Sequence, residues 1–227
     1  MILQGATMIK AITAALLLNL SMMAFAEPPS PEEIAEWRAA AGQGEAWAQS
    51  NLGQMYDRGD GVPQDSAVAM KWWTKAAEQG YAKAQYNLAL MYADGEGVPK
   101  DNATAVKWYT KAAEQGYAEA QYNLGSMYDN GEGVPKNDAT AVKWYTKAAE
   151  QGVASAQENL AFMYAKGEGV PQDNVMAYMW WNLAAAQGDE NAKENKGKLQ
   201  DSMTSAQIEE AQTLSRECLA KDYKTCG

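Results

Sequence analysis

The chain is expected to fold as an all-α solenoid of four 36-residue helix pairs with capping half-repeats, and three observations lead there. Units 45–80, 81–116, 117–152 and 153–188 repeat one text, and each closes on a Gln-Gly pair. Self-similarity at a fixed period of this length means units that stack only on their neighbours and together build an extended binding surface. Within the second unit Ala84, Leu88, Met91 and Tyr92 recur at helical spacing, and so do Ala105, Trp108, Tyr109, Ala112 and Ala113. Between these halves runs Gly95-Glu96-Gly97-Val98-Pro99, where glycine backbone angles end one helix and proline prevents its continuation.

Before the repeats, Met8-Ile9-Lys10 is a short basic start, residues 11–20 are apolar, and Ala24-Phe25-Ala26 has the small-x-small form of a cleavage site. Residues 1–26 are therefore read as a secretory signal peptide, cut between Ala26 and Glu27. The apolar stretch is shorter than the ~20 residues a membrane span needs, so no stable anchor is expected after cleavage. Residues 27–31 form a linker. Trp37 to Gly44 matches Trp73 to Gly80 in register, which makes 32–44 an N-terminal capping half-repeat. In each unit Asp101, or its neighbour Asn102, is placed to cap the second helix, and Gly116 ends it. Residues 189–227 hold a polar helix and an amphipathic closing helix, the more polar ends a solenoid needs for solubility. The total is eleven helices.

A formal net charge of −10, made one unit more negative by loss of Lys10, argues against nucleic acid and anionic membranes as partners. The two cysteines, Cys218 and Cys226, lie at the end of an exported chain and are expected to pair as a disulfide worth about 2 to 3 kcal/mol. A redox or metal site is the alternative, disfavoured by the lack of Cys-x-x-Cys and of any histidine. The same lack of histidine removes a Ser-His-Asp triad and His-ligated zinc, and no Ser-x-x-Lys occurs. The acidic loop residues Asp60, Glu96, Glu132 and Glu168 lack calcium-loop spacing and read as solvated turns. No cofactor, no metal and no catalysis are expected. The rows Trp72, Trp108, Trp144, Trp180 and Trp73, Tyr109, Tyr145, Trp181 read as interlocking core; a sugar platform would need several of them exposed.

The segment A-x-A-Q-x-N-L-G-x-M-Y, followed by G-E-G-V-P and K-W-Y-x-K-A-A-E-Q-G, resembles the Sel-1-like repeat, a relative of the tetratricopeptide repeat. The resemblance covers nearly all of the mature chain and implies a right-handed α/α superhelix whose first helices line the concave face. It also implies an adaptor: many similar proteins are bacterial envelope proteins that hold others together or regulate cell-wall enzymes. A cysteine-rich branch with Cys-x7-Cys pairs is associated with penicillin binding or hydrolysis. Cys218 and Cys226 have that spacing, but the corresponding inner positions are Ala77 with Gln85 and Ala113 with Gln121. The alternative function is a cell-wall-related role: β-lactam or peptidoglycan-fragment binding or hydrolysis, which that departure disfavours, or regulation of a cell-wall enzyme.

Units two and three differ at seven positions, and five lie on the first helix: Lys83/Glu119, Ala89/Gly125, Leu90/Ser126, Ala93/Asp129 and Asp94/Asn130. By the resemblance this helix faces the groove, so the variation falls where a ligand would touch. The groove is expected to comprise Asn51, Gln54, Lys83, Tyr86, Asn87, Leu90, Asp94, Glu119, Tyr122, Asn123, Ser126, Asn130, Asn159 and Phe162. The Asn row, one residue per unit, has the donors and acceptor that suit an extended peptide backbone. Its structural alternative is that each Asn bonds a neighbouring helix and fixes the repeat angle. Leu90 and Phe162 are the expected apolar anchors. The sequence thus reads as a monomeric, periplasmic or secreted adaptor for a protein or peptide partner.

Overall fold

A computed structural model describes residues 28–224 and 226. The expected leader at 1–26 and its cleavage point lie outside the described residues. Among the described residues there are eleven α-helices and no strand. The first, α1 (Pro31–Gly42), opens on a capping box: Ser30 Oγ accepts from the Glu33 amide at 3.2 Å and Glu33 Oε2 accepts from the Ser30 amide at 2.8 Å.

Four helix pairs follow: α2 (Ala46–Arg58) with α3 (Ser66–Glu78), α4 (Ala82–Asp94) with α5 (Asn102–Glu114), α6 (Ala118–Asn130) with α7 (Asp138–Ala149), and α8 (Ala154–Lys166) with α9 (Asn174–Ala186). Two further helices, α10 (Glu190–Gln200) and α11 (Ser205–Ala220), close the array. From α1 to α10 each helix packs on its chain neighbours, and α11 folds back onto α9. The chain is an all-α helical repeat solenoid.

The punctuation of each unit has a local cause. Gly95 ends α4 at φ 79°, a left-handed angle that costs glycine no steric energy. Gly133 has a second reason to be glycine: a β-carbon there would sit 2.4 Å from the backbone of Asn102. The turn of one unit therefore lies directly on the start of the second helix of the unit before. Asp101, rather than Asn102, caps α5 by accepting from the Thr104 amide at 3.0 Å, and Asn137 does the same for Thr140 at 2.9 Å. Because only an oxygen acceptor is needed, Asp and Asn exchange freely at this position.

Small residues set the spacing between layers. Ala84, Ala105 and Ala112 are fully buried, as are their copies in the other units. The row Trp73, Tyr109, Tyr145 and Trp181 fills the remaining space, and each such ring contributes about 1.5 to 3 kcal/mol of burial energy. The parallel row is graded rather than uniform. Trp72 and Trp108 are half-buried, with Lys75 and Lys111 ammonium groups 4.5 and 4.2 Å from their ring centres. Trp144 is 8% exposed and Trp180 wholly buried, since only the last pair is covered by the closing helices.

A buried amide ladder ties the units together. Gln49, Gln85, Gln121 and Gln157 donate to the carbonyls of Ala41, Ala77, Ala113 and Ala149, at 3.4, 3.1, 3.0 and 3.1 Å. Their side-chain oxygens accept from Gln79, Gln115, Gln151 and Gln187, at 2.8, 2.7, 2.7 and 2.9 Å. The repeated Gln-Gly pair, which in the sequence only marks a unit boundary, is half of this ladder. At the C-terminal end Cys218 and Cys226 form a disulfide with their Cα atoms 5.1 Å apart. It holds the segment in which the Tyr223 ring packs on Gly152, 3.3 Å from where a β-carbon would stand.

Candidate functional site

The stacking of first helices leaves a cleft of about 390 Å³ between α2 and α4. Six residues of the expected groove line it: Gln54, Lys83, Tyr86, Asn87, Leu90 and Asp94. Lys83 reaches across the cleft to donate to Gln54 Oε1 at 2.9 Å. A smaller neighbouring cleft of about 250 Å³, between α1 and α2, includes Asn51 and again Gln54. The remaining expected residues, Glu119, Tyr122, Asn123, Ser126, Asn130, Asn159 and Phe162, line neither cleft. Asn130 is turned onto its own helix, donating to the Ser126 carbonyl at 3.0 Å. Phe162, 37% exposed, stands edge-on to Trp181 with ring centres 5.3 Å apart.

The Asn row divides in two, and the cause lies fourteen residues upstream. Asn123 donates to the Tyr109 hydroxyl at 3.2 Å, and Asn159 lies close enough to the Tyr145 hydroxyl to oppose the rise that burial imposes on it. At the corresponding places before Asn51 and Asn87 stand Trp37 and Trp73. An indole nitrogen can only donate, and that of Trp73 is engaged by the Ser50 carbonyl at 3.1 Å. Asn51 and Asn87 consequently open into the two clefts, while Asn123 joins neighbouring helices and Asn159 lies beside Tyr145.

Burial shifts two groups at this cleft, as it does others elsewhere along the array. Burial raises the Asp57 carboxyl above its usual range and Glu96 raises it further, with Arg58 opposing. Burial also raises the Tyr86 hydroxyl, as does the negative charge of Glu119, while a hydrogen bond with Asn123 counteracts. The cleft thus presents neutral hydroxyls, the carboxamides of Gln54 and Asn87, and charges of both signs around the apolar Leu90 side chain. That combination suits hydrogen bonding and packing with a ligand.

Sequence reasoning missed Asp57, Arg58, Glu96 and Tyr117 in the larger cleft, and Glu33, Trp37 and Asp60 in the smaller. A comparison across all four units carries the signal for two of them. Asp57 aligns with Ala93, Asp129 and Ala165, and Arg58 with Asp94, Asn130 and Lys166, so both positions vary in charge.

Comparison with known proteins agrees with this architecture. The Sel1 repeat family profile matches residues 48–81, 82–117, 118–153 and 154–189. No curated protein sequence matches the chain. A Sel1 repeat protein from Oxalobacter formigenes is similar at 32% identity and a TM-score of 0.67, over 94% of this chain and 78% of that one. The protective antigen c5321 of uropathogenic Escherichia coli strains, which displays an SLR fold, is 32% identical with a TM-score of 0.54. That match spans 84% of this chain but only 49% of the antigen. Sel1 repeat proteins are in general protein-interaction scaffolds, typically without catalysis. Among the described residues no helix is long and apolar enough to cross a membrane. On four consecutive repeat matches and the stacked helix pairs that carry them, the chain belongs to the Sel1 repeat family.

Proposed function

We propose that the protein is a non-catalytic adaptor of the cell envelope, periplasmic or secreted after loss of residues 1–26. In this reading it holds an extended segment of a partner protein in the cleft between α2 and α4. The carrying observation is that Asn87 opens into this cleft beside Leu90, where the repeat also varies most. A peptide backbone offers the carboxamide both a carbonyl and an amide, and Leu90 adds an apolar anchor. The disulfide between Cys218 and Cys226 fits an oxidising compartment.

A photo-crosslinking amino acid at Tyr86, compared with the same group at the exposed Lys107 on α5, tests the reading. Protein exposed to an extract of exported proteins should crosslink a partner from position 86 and not from 107. The combined change Asn87→Ala and Leu90→Asp should abolish that product while circular dichroism stays helical. Undiminished crosslinking by the folded double variant would remove the cleft from the function.

A further inference from the structure

The C-terminal end of the chain is seated on one of its own repeats. Beyond α11 the backbone doubles back in a tight hook, in which Asp222 and Tyr223 stand consecutively at φ 54° and 62°, angles that L side chains rarely adopt. The disulfide between Cys218 and Cys226 holds this hook, and the Tyr223 amide donates to the Cys218 carbonyl at 3.0 Å. The hook sets the Tyr223 ring on Gly152, the glycine that closes the third unit. Lys224, the next residue, lies with Gln121, Lys147, Glu150 and Gln151 around a shallow cavity of about 530 Å³.

That seat is a repeated surface. In the second unit the same places hold Gln85, Lys111, Glu114, Gln115 and Gly116. In the first they hold Gln49, Lys75, Glu78, Gln79 and Gly80. The geometry is copied with the residues: Gln151 donates to Gln121 at 2.7 Å, Gln115 to Gln85 at 2.7 Å and Gln79 to Gln49 at 2.8 Å. The ammonium groups of Lys147, Lys111 and Lys75 each stand over the tryptophan of their own helix, at 4.9, 4.2 and 4.5 Å. The fourth unit departs, with Leu183 and Ala186 in place of the lysine and the glutamate.

Only the covering differs among the three matching corners. A β-carbon on Gly152 would meet the Tyr223 ring, whereas nothing lies within 4 Å of one on Gly80 or Gly116. Both of these glycines are exposed, and Gly152 is half-buried. One neighbour also changes, Val153 standing where the other units have Tyr81 and Tyr117. Tyr117 packs on Tyr86 with ring centres 5.0 Å apart and leaves Gly116 uncovered. A corner of this kind suits an aromatic ring because glycine lets it approach bare backbone. The glutamate supplies a counter-charge for an adjacent lysine, and the corner's own lysine is already drawn over its tryptophan.

We propose that the corners at Gly80 and Gly116 are docking sites for a partner protein's tight turn that presents a tyrosine with a lysine next to it, as the hook at Tyr223 and Lys224 does at Gly152. None of the corner residues lines the cleft between α2 and α4, so this is a second surface, independent of the first.

The cyclic peptide of residues 218–226, closed by its disulfide, is the probe, added to the isotope-labelled chain from residue 27 onward. In an NMR titration the Gly80 and Gly116 amide resonances should shift and saturate, while Gly152, covered by the chain's own hook, should stay in place. The peptide carrying Tyr223→Ser should bind about tenfold more weakly. Unmoved resonances of Gly80 and Gly116, or an equal response to the Tyr223→Ser peptide, would overturn the assignment, and neither result depends on a protein variant. Tyr223→Ala in the protein should bring Gly152 into the responding set. A Gly152 that stays silent in that variant, while circular dichroism shows it folded, would overturn the equivalence of the corners and the proposal with it. Self-association that Tyr223→Ala abolishes, read by sedimentation, would make the occupant a second copy of the chain and overturn the proposal as well.

Discussion

Asn123 donates its side-chain amide to the hydroxyl of Tyr109 at 3.2 Å, and this bond joins the first helix of one unit to the second helix of the unit before. The equivalent Asn87 faces Trp73 instead and opens into a cleft. Asn123→Ala is therefore expected to lower stability by about 0.5 to 1.5 kcal/mol in urea unfolding. Asn87→Ala should leave the urea midpoint where it is. Equal losses for the two variants would contradict the division of the row.

The amide ladder predicts a larger effect from a less conspicuous residue. Gln85 is 3% exposed, bonds the Ala77 carbonyl and accepts from Gln115. Gln85→Leu strands a buried carbonyl and should cost about 1 to 3 kcal/mol. Gln115→Ala, at an exposed position, should cost less. Thermal unfolding of both variants gives the comparison, and a reversed order would show that the ladder does not hold the units in register.

Cys218 and Cys226 are eight residues apart, the same separation as Ala77 and Gln85. A covalent bond at the end of the array thus spans the same sequence interval as a hydrogen bond inside it. Reduction should cost about 2 to 3 kcal/mol by the chain-entropy estimate. Because a solenoid is held by nearest neighbours, the loss should be local. Hydrogen exchange after reduction should quicken in α11 and leave α2 to α4 unchanged; uniform quickening would refute local coupling.

Two glycines of helices should respond oppositely to alanine. A β-carbon on Gly53 would stand 2.4 Å from the Trp73 ring, so Gly53→Ala must displace a core aromatic and should cost about 1 to 3 kcal/mol. Nothing lies within 4 Å of such an atom on Gly197, and Gly197→Ala should stabilise by about 0.5 to 1 kcal/mol through helix propensity. Melting temperatures that shift in the same direction would argue against the packing at Gly53.

Burial, and then Asp189, raise the Glu158 carboxyl above its usual range. The folded state therefore holds this proton more tightly than the unfolded state does. The resulting stability is complete below the ordinary carboxylate range and is lost as pH rises through the raised folded value. Glu158→Gln cannot ionise and should melt at a higher temperature than the parent at neutral pH. The difference should close on acidification, and a difference independent of pH would exclude ionisation as its cause.

Much of the architecture was legible in the residues because its causes are local. The helix pairs follow from apolar spacing, Gly95 and Asp101 mark boundaries through backbone angle and cap, and the alanine rows announce close packing. The cleft was half legible: variation between two units pointed to Lys83, Leu90 and Asp94, while Asp57 and Arg58 required all four. The division of the Asn row was not legible from the row itself. It depends on a Trp-to-Tyr difference fourteen residues away, which matters only once stacking brings the two together.

The sequence by itself determined the period, the eleven helices and their punctuation, since these arise from interactions within a few residues of each other. Tertiary structure alone decided which repeated residues are equivalent in fact. Trp72 and Trp180 occupy the same place in the repeat, yet one is half-buried under a lysine and the other is sealed beneath the closing helices. A repeat makes its units alike in local energy, whereas burial and free hydrogen-bonding groups depend on which neighbours lie above and below.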